Sequence, residues 1–368
     1  MMRLSRWLIF VCLCTLGVTL RAGFAQASVS GVPLKIDRQS SAEMVLDVGV
    51  VIFDPGIPKD ASTHSKLGIF PEIRKSEAKF MPVILRQVLL KSAAWGVVRV
   101  LPETLNSSEL LVTGRILHSD GLRLALQIRV HDATGRLWLD KVYVDETSPG
   151  DYPVAAGDDP YQDLYHQIAN EMLAMKQRLG SKELRNIRQV GLIRYAASLS
   201  PEVFAGYLSQ TAGGTYILAR LPAADDPMME RVSKIRNQEY LFIDTVDEQY
   251  AALYEEMAPT YNMWRQFGRE QALYRESYED RAANRERRGK RGTFAAMEQT
   301  YDAYKWSKIH EQDLDELALG FNNEVAPTVM EVSGKVFRLN GTLDTQYTEW
   351  RDILQQIFVL ETGLTPDA

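Results

Sequence analysis

Six cations fall within eleven residues of an otherwise acidic chain: Arg281, Arg285, Arg287, Arg288, Lys290 and Arg291, with Glu286 the only acid among them. The planar guanidinium fork donates two parallel hydrogen bonds to a phosphate or a carboxylate, so a cluster of this kind suits an anionic partner. Anionic lipid headgroups attract such groups at about 1 kcal/mol per cation. A plainer reading stays open beside it. Cations near the carboxyl end of a helix are favoured by the helix dipole and need no partner.

Nothing else in the chain is spaced for covalent chemistry. The five histidines, His64, His118, His131, His166 and His310, are scattered. His310-Glu311 lacks the second histidine of a metalloprotease helix. His118 and His131 lie near strand ends, where they could face each other or simply edge a sheet. The acidic pairs Asp225-Asp226 and Glu255-Glu256 suit a solvated helix as well as a glycosidase. Asp158-Asp159 lacks the regular spacing of a calcium loop, and helix capping accounts for Asp159. Gly213-Gly214-Thr215 has neither the lysine nor the spacing of a phosphate cradle. The expectation is therefore no catalytic residue, no metal and no cofactor.

The address comes from the first 27 residues. Arg3 and Arg6 precede an apolar run from Trp7 to Leu20, and Ala25-Gln26-Ala27 places small residues where a signal peptidase cuts. The run is too short for a bilayer core. A cleaved secretory signal and a periplasmic protein are expected, although Arg21, between the run and the cut, leaves an uncleaved inner-membrane anchor open. Both cysteines, Cys12 and Cys14, belong to this segment, so the exported part has no disulfide or thiolate metal site. Val11 and Leu13 precede them, whereas lipid attachment requires a small residue there. Removing three arginines from a chain of formal charge −6 leaves about −9, which argues against nucleic acid as a partner. Some 340 residues of ordinary composition, 45% hydrophobic and 24% charged over the whole chain, suffice for two or three domains.

Residues Ala27 to Ala42 are polar and unpatterned and read as a tether. Met44 to Phe53 reads as a buried strand ending at Asp54-Pro55-Gly56. Pro71 suits the first turn of a helix running to about Ala94, with Ile73, Phe80, Val83, Ile84, Val88 and Leu89 on its apolar side. Val97 to Val100, Leu110 to Leu117, Leu122 to Val130 and Leu137 to Val144 read as strands. The third alternates apolar and polar residues with a period of two. Ser119-Asp120-Gly121 and Asp132 to Gly135 join the last three as hairpin turns. The period then shifts to 3.6. Helices are expected from Asp159 to Gly180, from Ser181 to about Ala197, briefly after Ser200-Pro201, and from Asp226-Pro227 to about Arg288, the last either kinked at Pro259 or divided there into two nearly collinear helices.

The last of these carries Phe242, Val246, Tyr250, Leu253, Met257, Tyr261 and Trp264 at helical spacing. After Gly289 and Gly292, a returning stripe of Phe294, Met297, Tyr301, Tyr304, Ile309, Leu317 and Phe321 predicts a long antiparallel helical hairpin with the basic cluster at its tip. The dense aromatics Tyr240, Tyr250, Tyr254, Tyr261, Trp264, Tyr274, Tyr278, Tyr301, Tyr304 and Trp306 read as interhelical packing, with a sugar-stacking platform as the minor alternative. A small β-hairpin, Thr328 to Val332 and Val336 to Leu343, and a helix from about Tyr347 to Glu361 close the chain.

Two resemblances accompany these elements. The strand–long-helix order and the stretch LLVTGRILHSDGLRLALQIRVHDATGRLWLDKVY resemble the amino-terminal domain of TolB and the related periplasmic domains of ABC-transport auxiliary lipoproteins. VSGKVFRLNGTLDTQYTEWRDIL is similar to half of a BON domain, a small envelope module. What these imply is docking within envelope assemblies. Neither supplies an active-site residue.

The expected fold is thus an α+β domain over residues 43–146, with an antiparallel sheet and one long helix. It is followed by a linker over 147–158, a helical domain with a long hairpin over 159–325, and a β-hairpin/helix module over 328–362. The expected function is a non-enzymatic periplasmic scaffold that touches an envelope protein, and an anionic lipid or peptidoglycan surface, through Arg281, Arg285, Arg287, Arg288, Lys290 and Arg291. Two other readings stay open: an auxiliary component of a lipid-transport system, favoured by a hydrophobic groove, and a cell-wall enzyme, favoured by buried acids converging in one cleft.

Overall fold

A computed structural model describes residues 28–38, 44–105, 108–155, 157–223, 225–287 and 327–363, with backbone alone for 65, 66, 275 and 278–287. The signal segment, the returning arm of the expected hairpin, and His310 lie outside the described residues.

Strand β1 (Val48–Val51) is followed by a short helix α1 (His64–Leu67), the long α2 (Pro71–Lys91) and β2 (Val98–Leu101). Strands β3 (Leu110–Ser119), β4 (Arg123–Asp132) and β5 (Leu137–Glu146) complete a five-stranded sheet of order β2-β1-β3-β4-β5. The sheet is mixed, not wholly antiparallel as expected. β1 runs parallel to both neighbours, Val48 opposite Val98 on one side and Leu110 on the other. A helical crossover such as α2 allows parallel pairing, whereas the tight turns after β3 and β4 enforce antiparallel pairing. β1 is buried throughout, in keeping with its near-continuous apolar sequence. Along β4, Leu124, Leu126, Ile128 and Val130 face the core on alternate positions.

Helices α3 (Gln162–Lys176) and α4 (Ser181–Leu199) follow, then a single turn α5 (Pro201–Phe204). Where Gly213-Gly214 suggested only a break, a two-stranded ribbon forms, β6 (Leu208–Gln210) against β7 (Tyr216–Leu218). Three-residue strands are too short for a period to show. Helix α6 (Pro227–Arg287) is one unbroken element of 61 residues with Pro259 inside it, about 90 Å along its path at about 1.5 Å per residue. The β8 (Thr328–Val332) and β9 (Lys335–Leu339) hairpin and helix α7 (Leu343–Thr362) end the fold as expected.

Both sheet edges are covered, which removes the open backbone groups that invite aggregation. At the β2 edge, Asp247 of α6 accepts the Val100 N–H at 2.8 Å, and Asp244 pairs with Arg99. At the β5 edge the presumed tether is a strap. Val29 N–H donates to Val144 O at 2.9 Å, and Asp163 accepts the N–H groups of Gly31 and Val32. Asn170 accepts from Lys35 N–H at 2.8 Å. Asp163 and Asn170 lie more than 130 residues away in sequence, so the segment's own composition gives no sign of them.

Candidate functional site

The basic cluster divides at the limit of the described residues. Arg281, Arg285 and Arg287 occupy the last turns of α6. Arg288, Lys290 and Arg291, and any hairpin that places them at a tip, lie outside the described residues.

The near end of the same helix is built differently. Val232, Ile235, Phe242, Val246, Tyr250 and Tyr261 form its buried stripe, and three charged residues sit in phase with it: Glu239, Asp247 and Arg265. Arg265 donates to Asp159 at 2.7 Å, with side-chain exposures of 3% and 5%, and its guanidinium lies 4.5 Å over the ring of Tyr261. The Tyr261 hydroxyl donates to Glu77 at 2.6 Å, as does the Ser119 hydroxyl at 2.7 Å, and Arg74 pairs with the other Glu77 oxygen at 3.0 Å. Burial pushes the Tyr261 phenol well above its ordinary range, helped by the adjacent Glu77 charge. Burial likewise raises Asp247, against the stabilising Val100 N–H and Arg86. The fit is also steric: a Cβ on Gly121, in the β3–β4 turn with φ +84°, would sit 2.0 Å from the Arg265 carbonyl oxygen. One on Gly268 of α6 would sit 2.6 Å from the carbonyl oxygen of Asp120. The helix is seated on the turn backbone to backbone.

The aromatics of this stretch pack between helices as expected, here on α2 and α7, while the returning arm lies outside the described residues. Phe80 of α2 meets Tyr254 at 4.4 Å and Tyr261 at 4.6 Å between ring centroids, and Phe242 stacks on Tyr347 and Trp350 of α7 at 6.0 and 6.1 Å. Both α2 and α7 are far from α6 in sequence, so the stripe alone does not tell which element it faces.

A cavity of about 180 Å³ opens where α4, α6, α7 and the loop after β2 meet. Glu239, 2% exposed, stands in it; its carboxylate accepts from the Tyr347 hydroxyl at 2.7 Å and lies 3.5 Å from Arg351 Nε. Tyr195, also 2% exposed, lines the same space, and its hydroxyl donates to the Glu239 carboxylate. Burial and then the Glu239 charge push that phenol far above its ordinary range. Glu103 at the mouth accepts from the Thr348 hydroxyl at 3.2 Å, and Asp352 adds another carboxylate. The hydroxyls present are already committed. Ser198 donates to Tyr195 O at 2.7 Å and Thr348 also reaches Asp344 O at 3.0 Å, so neither is set up as a nucleophile beside a base. Sequence reasoning missed this cavity, although Glu239 at a core position of an apolar stripe was a readable sign.

The remaining candidates are dispersed. His118 pairs with Asp120 at 2.8 Å and stands opposite Ala125, while His131 stands opposite Leu111, so the two histidines sit at opposite ends of the β3–β4 pair and do not meet. His64 contacts Pro58 O and His166 contacts Val32 O, both at 2.8 Å. Asp159 is spent on Arg265 and on the Tyr161 N–H. Asp226 caps the start of α6 through Met228 N–H at 2.9 Å. Among the described residues no cluster of three metal-ligating side chains forms, and no helix is long and apolar enough to cross a membrane. No protein-family profile, curated protein or solved structure matches this chain.

Proposed function

We propose that the protein is a non-enzymatic scaffold of the cell envelope, exported by its amino-terminal signal, that contacts a partner through the basic cluster from Arg281 to Arg291. The observation that carries this reading is the asymmetry of α6. From Val232 to Gly268 the helix is fixed to the sheet and to α7 by buried charges and ring contacts. The stretch beyond it holds the exposed Leu273 and Tyr274 and then the cationic run. A rigid foot lets a distant cluster be presented at a defined place, which is what docking needs. The resemblance of residues 43–146 to the TolB amino-terminal domain agrees with an envelope role.

Anionic partners fit the cluster's chemistry: an acidic protein face, or the phosphate and carboxylate groups of lipid and peptidoglycan surfaces. Replacing Arg281, Arg285, Arg287, Arg288, Lys290 and Arg291 by Gln and recovering the protein from crosslinked envelopes tests it. Wild type should carry a discrete set of partners that the variant loses. A variant that recovers the same partners overturns the reading.

A cell-wall enzyme stays the second reading, because ionisable groups do converge in the Glu239 cavity. Its hydroxyl commitments favour binding over bond cleavage.

A further inference from the structure

The scaffold reading makes no use of the strap over residues 28–37, and the strap does not need that reading to be true. We propose that the strap is a pH-gated latch, docked on β5 and α3 while Asp145 beneath it is neutral and loosened once Asp145 ionises, which bares the β5 edge.

The strap is held largely through its main chain. Val29 N–H donates to Val144 O at 2.9 Å, and Asp163 accepts the N–H groups of Gly31 and Val32, the latter at 3.1 Å. His166 Nδ1 reaches Val32 O at 2.8 Å, and Asn170 bonds both Pro33 O and the Lys35 N–H. Asp163, His166 and Asn170 follow one another at intervals of three and four residues, so they share one face of α3. Side chains of the strap commit less. Leu34 packs against the core, but Ile36 is 54% exposed. A segment with few buried apolar contacts and with backbone bonds close to solvent opens locally at low cost.

Asp145 sits where the latch closes. Val29 bridges to it along the β5 edge. Its carboxyl, 4% exposed, accepts the Glu146 N–H at 2.8 Å and the Leu164 N–H in the first turn of α3. The charged groups facing it are acids, Asp163 on α3 and Asp151 in the turn after β5. The nearest cations of β4 and β5 are engaged with other carboxylates, Arg123 with Glu146 and Lys141 with Glu171. Burial, then the two acids, raise the Asp145 carboxyl to about 7. An open latch lets water in and relieves that penalty, so ionisation favours the open form. Docking is therefore complete below about pH 4 and weakens by up to about tenfold per pH unit until about pH 7. His166 does not supply this response, because its bond to Val32 O needs an Nδ1–H that the neutral tautomer and the cation both carry. Protonating Asp163 would act in the opposite sense, by weakening the strap on acidification.

Hydrogen exchange of the full chain between pH 5 and pH 8, read by mass spectrometry and corrected for intrinsic exchange, tests the latch. Strap amides of the wild type should lose at least about tenfold in protection as pH rises, and at every pH should exchange faster than β4 amides, which report global opening. Asp145→Asn keeps the neutral shape and should hold the strap with no pH dependence. Asp151→Asn, which removes one of the facing charges and can still cap its turn, should lower the pH at which protection is lost. The latch is overturned if wild-type strap protection is flat, if strap and β4 amides exchange together, or if a folded Asp145→Asn keeps the wild-type slope. Should Asp145→Asn fail to fold, an unshifted profile in Asp151→Asn overturns it instead.

Discussion

One helix carries charge in two ways. At its near end Glu239, Asp247 and Arg265 lie in the buried stripe, each matched to a group from another element: Tyr347, the Val100 N–H and Asp159. Arg281, Arg285 and Arg287 stand in its last turns, and the sequence adds Arg288, Lys290 and Arg291 directly after it, with a single acid among the six. Buried charges must be paired because their desolvation is costly, and the pairing then dictates where the helix sits. Grouped like charges do the reverse. They repel one another, and where they are solvated each adds little to stability. The near end spends charge on position; in the function proposed above, the cationic run keeps it for a partner.

The sharpest way to break this contrast is Arg265→Met. It strands Asp159 in a site where both side chains are nearly inaccessible, and about 3–5 kcal/mol of unfolding free energy should be lost in urea denaturation. Adding Asp159→Asn should recover part of that loss, since no uncompensated charge then stays buried. A double variant as unstable as the single one would contradict the pairing.

Asp145, beneath the amino-terminal strap, is a buried acid without a cationic partner of this kind. Burial, then the charges of Asp163 and Asp151, push its carboxyl up to about 7. The folded state therefore holds a proton that the unfolded chain has released between about pH 4 and pH 7. Stability contributed by this group is complete below that window and falls as pH rises through it, by up to about 1.4 kcal/mol per pH unit. Comparing urea midpoints at pH 5 and pH 7, Asp145→Asn should lose less stability than wild type over that span. Equal slopes would show that Asp145 does not titrate there.

Gly268→Ala separates seating from helix propensity. Alanine in a helix interior should stabilise by up to about 1 kcal/mol relative to glycine. Against that, its Cβ would meet the Asp120 carbonyl oxygen, so a net loss of about 1–3 kcal/mol is expected in thermal or urea unfolding. A stabilised variant would mean that the helix is not seated on the β3–β4 turn.

Much of the fold was legible because its signals are local. The alternation from Leu122 to Val130, the proline at the start of α2 and the stripe of α6 each announce an element within a dozen residues. What escaped depends on distance in sequence. The strap over residues 28–37 looked like a tether because its partners, Asp163 and Asn170, belong to α3. The parallel pairing of β1 follows from a crossover that no strand pattern encodes. The aromatic stripe was visible, yet its partners Phe80, Tyr347 and Trp350 were not. The cavity had the faintest trace, a lone glutamate in phase with an apolar face. The basic cluster, by contrast, is wholly a sequence feature, and its far half lies outside the described residues.

The smallest effect on stability should accompany the largest on association. Replacing the six cations by Gln should change unfolding free energy by less than about 0.5 kcal/mol. Co-sedimentation of wild type and this variant with isolated envelopes, with unfolding measured on the same preparations, tests the division of labour along α6 most directly. The account predicts that wild type sediments at low salt and is released as salt rises, while the equally stable variant stays in the supernatant. A folded variant that still sediments like wild type would contradict it.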